Sequence, residues 1–141
     1  MHPVIMPYID CVEMTRAAVE DVVAQTLPTA LLLIDNGSQP EGRALAEELR
    51  IAHPKHVLPW HHDPPFPALA AVWNRALRFC WEAGADHALV VNNDVRLAPW
   101  TYERLLAVQR DTQAFMVTAV GVTPPQFETY LAQGPESAIT A

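Results

Sequence analysis

The stretch Ala30-Leu31-Leu32-Leu33-Ile34-Asp35-Asn36-Gly37-Ser38 changes abruptly from an apolar run to a polar turn. An uninterrupted apolar run of this length is typical of a strand that is buried on both faces, and Asn-Gly is a common turn pair. Ser38 and Glu41 have the spacing of a capping box, with Pro40 near the first turn, where a missing N–H costs least. The stretch therefore predicts a buried strand, a turn and the start of a helix.

The same alternation of apolar runs and amphipathic segments continues in both directions along the chain. Asp10 and Glu13 again have capping-box spacing, which predicts a helix start after the first strand. The apolar runs predict further strands at residues 3–9, 56–60, 88–91 and 114–122. The amphipathic segments predict helices at residues 10–25, 41–52, 68–83 and 99–109. This order predicts an α/β fold of the three-layer α/β/α type, in which helices cover both faces of a mostly parallel central sheet.

Polar residues concentrate where the predicted strands end. In sheets of this kind, ligands bind outside the carboxyl ends of the strands. The polar residues at these ends are Tyr8, Asp10, Asp35 to Ser38, His61 to Asp63, and Asn92 to Asp94. The sequence thus predicts a ligand site at one edge of the sheet.

The composition limits the class of protein. With 141 residues, 50% hydrophobic and 18% charged, the chain suits one folded domain. A formal charge of −7, with Lys55 as the only lysine, argues against nucleic acid as a partner. Cys11 and Cys80 lack zinc spacing and are expected to be buried thiols in a reducing compartment. Without a signal peptide or an apolar run of ~20 residues, we expect no transmembrane segment and a cytoplasmic location.

Three polar clusters each allow a functional and a purely structural interpretation. The Asp35–Ser38 turn offers free N–H groups to an anion and a carboxylate to the N–H or O–H of a nucleobase or sugar. Alternatively, it is an ordinary turn with a helix cap. Asn92-Asn93-Asp94 supplies oxygen ligands suited to Mg or Mn shared with a diphosphate, or it is an Asx turn. His61-His62-Asp63 provides a metal ligand or general base, or it is polar surface. Tyr8 either lies over a flat base or packs into the core.

Several segments in order resemble the family 2 glycosyltransferases. The opening of that family is similar to Val4-Ile5-Met6-Pro7, then Gln25-Thr26-Leu27-Pro28, then Leu33-Ile34-Asp35-Asn36-Gly37-Ser38. Its later helix is similar to Ala71-Val72-Trp73-Asn74-Arg75-Ala76-Leu77. Its Asp-x-Asp region is similar to Leu89-Val90-Val91-Asn92-Asn93-Asp94. The resemblance covers about residues 3–122.

The resemblance implies a GT-A fold whose nucleotide-binding half, residues 1–122, holds a nucleoside-diphosphate sugar, with residues 123–141 as a C-terminal tail. It implies that Asp35 accepts a hydrogen bond from the base, by default uracil N3–H. It also implies that Asp94 holds a divalent cation, Mn or Mg, on the diphosphate. The implied donor-binding residues are Pro7, Tyr8, Ile9, Asp35, Asn36, Asn74, Asn92, Asn93 and Asp94.

The chain departs from the family in two places. Tyr8-Ile9-Asp10 stands where the family usually has Thr-Tyr-Asn, and only residues 123–141 follow the last predicted strand, where the acceptor half with its catalytic Asp is expected. Candidate bases within the chain are Asp63, Glu128 and Glu136, and none is assigned. We expect a metal-assisted, inverting transfer from a UDP-sugar to an unknown sugar, lipid or protein acceptor, by a homodimer. The alternative is a catalytically incomplete nucleotide-sugar-binding module that acts in a complex.

Overall fold

A computed structural model describes residues 1–135 of the chain. Its elements are β1 (His2–Tyr8), α1 (Val12–Val23), β2 (Thr29–Asp35), α2 (Pro40–Ala52), β3 (Val57–His61), α3 (Leu69–Glu82), β4 (Leu89–Val90), α4 (Thr101–Thr112) and α5 (Pro124–Gln133). They fall into two units, Met1–Pro99 and Trp100–Ala141, which are described separately below.

The first unit contains a parallel four-stranded sheet in the order β3-β2-β1-β4. The register pairs Tyr8 with Asp35 and Asp35 with His61. The last residues of three strands therefore lie side by side at the carboxyl edge of the sheet. The α/β prediction with a parallel central sheet is confirmed.

Alternate side chains of the strands build a core on each face of the sheet. On one face, α3 contributes Val72, Ala76 and Cys80 to a buried cluster that also contains Ile5, Leu32 and Ile34. Because side chains alternate along a strand, the neighbouring Val4, Met6, Leu31 and Leu33, all fully buried, face the opposite side. There α1 and α2 contact β2. The sheet is thus the middle of three layers.

Two prolines in β1 explain why β4 is so short. Ile5 accepts a hydrogen bond from the Val91 N–H at 3.0 Å, so the polar backbone groups of Ile5 face β4. Pro3 and Pro7 are two residues away on either side and face the same way, but proline has no N–H to donate. The two prolines therefore end the hydrogen bonding between β1 and β4 on both sides, and the chain leaves the sheet after Val91.

The two predicted capping boxes are not formed. The Asp10 carboxylate accepts from the Gln39 N–H at 2.8 Å, and the Ser38 hydroxyl accepts from the Asp10 N–H at 2.8 Å. Each predicted cap thus bonds to the other loop, and neither helix start has a side-chain cap. Asp10 and Cys11 both have positive φ angles, so α1 begins only at Val12, and Cys11 is exposed rather than buried as expected.

The close packing of these two loops requires a glycine at position 42. A Cβ on Gly42 would lie 2.6 Å from the Ser38 Cβ and 3.0 Å from an Asp10 carboxylate oxygen. We expect Gly42→Ala to lower the free energy of unfolding by about 1–3 kcal/mol, the usual effect of overpacking. Urea denaturation measures this, and Gly121→Ala is the matched control because nothing lies within 4 Å of its Cβ. Equal stability of the two variants would contradict the packing argument.

The second unit contains α4 and α5. The predicted fifth strand at residues 114–122 is wrong, because this segment is not paired in the sheet and Phe115, Met116 and Val120 are at least 80% exposed. An apolar run forms a strand only where another strand accepts its hydrogen bonds. At the start of α5, the Thr123 N–H donates to the Gln126 side chain at 2.9 Å. Within residues 1–135, no helix has the length and apolar character needed to cross a membrane.

Candidate functional site

A cavity of about 450 Å³ lies at the carboxyl edge of the sheet. It gathers the predicted site residues of three segments: the end of β1, the turn after β2 and the loop after β4. Its lining consists of Pro7, Tyr8, Ile9, Asn36, Phe66, Pro67, Ala68, Leu69, Asn92, Asn93 and Asp94. Of the predicted donor-binding residues, only Asp35 and Asn74 are missing from it.

Tyr8 forms a packed part of the wall. Its side chain is buried, and its hydroxyl donates to the Gly42 carbonyl at 2.8 Å. Burial and the nearby Asp35 and Asp10 carboxylates raise the pKa of the Tyr8 phenol, so the hydroxyl stays protonated. The Tyr8 hydroxyl is therefore used in a hydrogen bond to α2. The neighbouring Ile9, in contrast, is 52% exposed.

Asp35 lies behind the cavity and has partners for both oxygens. One oxygen accepts from the Ser38 N–H at 2.8 Å, and the other is 3.2 Å from His61 Nδ1. Burial favours the neutral acid, but the hydrogen bonds from Ser38 and His61 outweigh it and lower the pKa of Asp35. Asp35 is 1% exposed, so its carboxylate can contact a ligand only if the groups that cover it move.

The His61-His62-Asp63 cluster lies at the far edge of the site from Asp94. His61 lines a second, more open cavity of about 880 Å³, together with Arg43 and the turn after β2. Arg43 donates to Asp63 at 3.1 Å, and His62 Nδ1 lies 2.6 Å from the Pro64 carbonyl oxygen. Three strand spacings separate β3 from β4, which is about 14 Å. The histidine cluster and Asp94 therefore do not form one metal site.

Asn36 fastens the proline-rich loop to the turn after β2. Its Oδ1 accepts from the Phe66 N–H at 2.8 Å, and its Nδ2 donates to the Phe66 carbonyl at 3.5 Å. Both ends of the amide are therefore used in holding Phe66, which lines the cavity. Asn36 thus holds part of the cavity wall in place through its bonds to Phe66.

Asn92 and Asp94 present exposed oxygen ligands to the cavity, whereas Asn93 is tied to α1. The Asn93 amide donates to the Thr15 hydroxyl at 2.9 Å. Residues 1–135 contain no group of three His, Cys, Asp or Glu residues placed to hold a metal. One carboxylate and one amide oxygen fit Mg or Mn only where phosphate and water supply the other ligands, as these ions commonly allow.

The remaining predicted residues do not meet at the cavity. Asn74 is exposed on α3, five residues after Leu69 and thus about 7.5 Å further along the helix axis. Asp63 is exposed and bonded to Arg43, and Glu128 is exposed on α5. Glu136 lies outside the described residues.

Sequence reasoning missed the wall formed by Phe66, Pro67, Ala68 and Leu69. These residues lead from the proline-rich loop into α3 and carry no polar side chain that indicates a ligand. The usable signal was their position, because a stiff loop that leads directly into a helix after β3 must lie near the same sheet edge.

Comparisons with known proteins show the family and the fold of the chain. The family model for glycosyl transferase family 2 matches residues 4–138, and no curated protein sequence is significantly similar to the chain. A mannosyltransferase of Pyrobaculum calidifontis, PcManGT, in complex with GDP-Man and Mn²⁺, is similar with a TM-score of 0.75 and 17% identity over 90% of this chain and 37% of that chain.

S. aureus TarS is similar in two structures. Its fragment 1–349 has a TM-score of 0.63 and 18% identity over 91% of this chain and 40% of that chain. The other TarS structure has a TM-score of 0.65 and 17% identity over 88% of this chain and 23% of that chain. The chain thus spans less than half the length of each of these proteins. At these identities, the likeness shows the fold.

Proposed function

The chain belongs to glycosyl transferase family 2 and has the GT-A fold, and from that premise we propose that it binds a nucleoside-diphosphate sugar and transfers the sugar to an acceptor. The observation that carries the proposal is the cavity of about 450 Å³ that joins Pro7 and Ile9 to Asn92 and Asp94 at the carboxyl edge. A parallel sheet of this type binds nucleotides at that edge. We assign donor binding to residues 1–122 and regard residues 123–141 as a C-terminal tail.

The diphosphate end of the donor is proposed to lie at the loop after β4. Asp94 and the Asn92 amide oxygen would hold Mn or Mg there, and the bound cation would neutralise the charge that builds up on the leaving diphosphate. Asn93 keeps its bond to Thr15 and holds the loop in place. PcManGT in complex with GDP-Man and Mn²⁺ supports this choice of cation.

The nucleoside end is proposed to lie between Pro7, Ile9 and the Phe66 wall. Asp35 is buried, so we propose that it acts through the turn and His61 and does not touch the base. UDP is the first nucleotide to test, because uracil is the base that the family resemblance implies. GDP is the second to test, because PcManGT is in complex with GDP-Man.

An inverting transfer needs a base within hydrogen-bond reach of the acceptor hydroxyl. In the unit Met1–Pro99, the candidate Asp63 lies next to β3, across the sheet from Asp94. This separation favours the second candidate function, a nucleotide-sugar-binding module whose catalytic base comes from elsewhere. The acceptor, the homodimer and the cytoplasmic location stay predictions.

Calorimetric titration with UDP and GDP, each with Mn²⁺ and with a chelator, tests the proposal. We expect Mn²⁺ to lower the dissociation constant of one nucleotide by about tenfold, or ~1.4 kcal/mol. Mass spectrometry of sugar nucleotides incubated with the protein then separates the two functions. Released nucleoside diphosphate supports the transferase, and binding without release supports the module. If neither nucleotide binds under any condition, the donor-site proposal is wrong.

A further inference from the structure

Residues 92–99, here called the acidic-site loop, follow the last residue of this segment whose backbone bonds to β1. That residue is Val91, whose N–H donates to the Ile5 carbonyl. Asn92 and Asp94 lie at the beginning of this loop and are exposed. Their positions at the cavity therefore depend on what holds the loop from its other side.

Asp21, on α1, holds the middle of the acidic-site loop. Its two carboxylate oxygens accept from the Arg96 guanidinium at 2.6 Å and 3.0 Å. One of them also accepts from the Leu97 N–H at 2.9 Å. A carboxylate that binds both a guanidinium and a backbone N–H fixes the chain in position and in direction.

The turn that follows α1 holds the rest of the loop. The Gln25 amide bridges the Asp21 carbonyl at 3.0 Å and the Ala98 carbonyl at 2.9 Å. The Thr26 N–H donates to the Pro99 carbonyl at 2.7 Å. The loop is thus bound along one side of α1, with Asp21 at the centre of the contacts.

The burial of the two charged partners is unequal. The Asp21 side chain is 13% exposed, whereas the Arg96 side chain is 60% exposed. Because the Arg96 side chain is largely in water, its charge contributes little to stability through this pair. The contact is therefore better explained by the position it gives the loop than by the stability it gives the fold.

We propose that Asp21 is a positioning residue of the donor site, which fixes the acidic-site loop so that Asn92 and Asp94 face the cavity. The inference rests on the proposed function. Asp21 contacts no ligand itself, and it acts through the Arg96 side chain and the Leu97 backbone. Removal of its charge lets the loop shift while the sheet and the core remain intact.

The variant Asp21→Asn tests this. Nucleotide affinity is measured by calorimetry with Mn²⁺ and with a chelator, at a temperature where the variant is folded. We expect the Mn²⁺-dependent part of the affinity to fall about tenfold, as for residues that orient metal ligands, while affinity in chelator stays nearly unchanged. A merely structural role would alter the melting temperature and leave the Mn²⁺-dependent part as it is.

Glu48→Gln is the matched control. Glu48 also forms a bidentate pair with an arginine of α1, Arg16, at 2.6 Å and 3.0 Å, but it lies on α2 and does not touch the acidic-site loop. The nucleotide affinity of Glu48→Gln should stay within about twofold of the affinity of the unsubstituted protein. An equal loss in both variants, or no loss in Asp21→Asn, overturns the inference.

A second readout keeps the inference separate from the proposed function. Hydrogen exchange of peptides that cover residues 92–99 should quicken in Asp21→Asn and in Arg96→Gln, while β1 and β2 exchange as before. This result is required even if the unchanged chain binds no nucleotide, in which case the proposed function fails alone. Unchanged exchange at residues 92–99 in both variants overturns the inference alone.

Discussion

Asp94→Asn should abolish the Mn²⁺ enhancement of nucleotide binding and most turnover, which is the largest functional effect expected of any single change. Asp94 is the exposed carboxylate in the lining of the 450 Å³ cavity, and an amide is a much poorer ligand for a hard cation. The fold should survive, since a neutral substitution at an exposed loop usually changes stability by no more than ~0.5 kcal/mol. Calorimetry of UDP and GDP with Mn²⁺ and with a chelator measures the effect.

Asp111→Asn serves as the control for Asp94→Asn, because it removes one exposed carboxylate from α4 with the same change of net charge. It should leave both titrations unchanged. Equal losses with Mn²⁺ and with the chelator in Asp94→Asn would mean that Asp94 is a turn residue. The metal assignment would then be wrong.

Asp35→Ala should produce the largest loss of stability in the site, about 1–3 kcal/mol. The substitution leaves the buried Ser38 N–H without its acceptor and frees His61 from its carboxylate. Nucleotide affinity should fall with and without Mn²⁺, because the turn that carries Asn36 and its Phe66 contact loses its support. Urea denaturation and calorimetry on the same samples measure both effects.

The matched control for Asp35→Ala is Asp63→Asn. Asp63 pairs with Arg43, which also lies 3.9 Å from Asp35, but the Asp63 side chain is 68% exposed. Its removal should leave stability nearly unchanged. Similar losses in the two variants would show that the Arg43 pair, and not the buried turn, accounts for the stability.

The contribution of Asp35 should also depend on pH. Its pKa in the folded protein is lower than the ordinary value of 3.8, because hydrogen bonds from Ser38 and His61 outweigh burial. A depressed folded-state pKa gives stability that is fully present above the unfolded-state pKa and is lost as the pH falls through the folded-state value. The stability difference between the unchanged chain and Asp35→Asn should therefore shrink below about pH 4. A difference that is constant down to pH 2.5 would contradict this account.

Much of the fold follows from patterns that depend only on local order. The apolar run at residues 30–34 and the turn after it appear in the structure as predicted, as β2 and its loop. The same holds for the helix near residues 68–83, found as α3 at Leu69–Glu82, because its apolar residues recur at helical spacing. Because the strands are parallel, the polar residues at their carboxyl ends lie at one edge of the sheet, and the location of the candidate site follows from this arrangement.

The failures share a physical cause, which is competition from partners distant in sequence. Their spacing predicted that Asp10 and Ser38 cap helices, but the side chain of each accepts a hydrogen bond from a backbone N–H of the other loop. The apolar composition of residues 114–122 predicted a strand, but a strand forms only where another strand pairs with it. The end of β2 did not reveal that Asp35 is buried and bonded to Ser38 and His61, because the sequence does not tell where those two partners would lie.

The prolines of β1 have a consequence for how this chain can change over evolution. Pro7 supplies no donor where the next rung of the ladder to β4 would form, so the strand alignment is complete before Asn92. Insertions or deletions between Arg96 and Pro99 therefore do not shift the alignment of the sheet. Such changes would remove the contacts of Arg96, Leu97 and Ala98 with Asp21 and Gln25, so the sheet can be inherited unchanged while the position of Asn92 and Asp94 is altered.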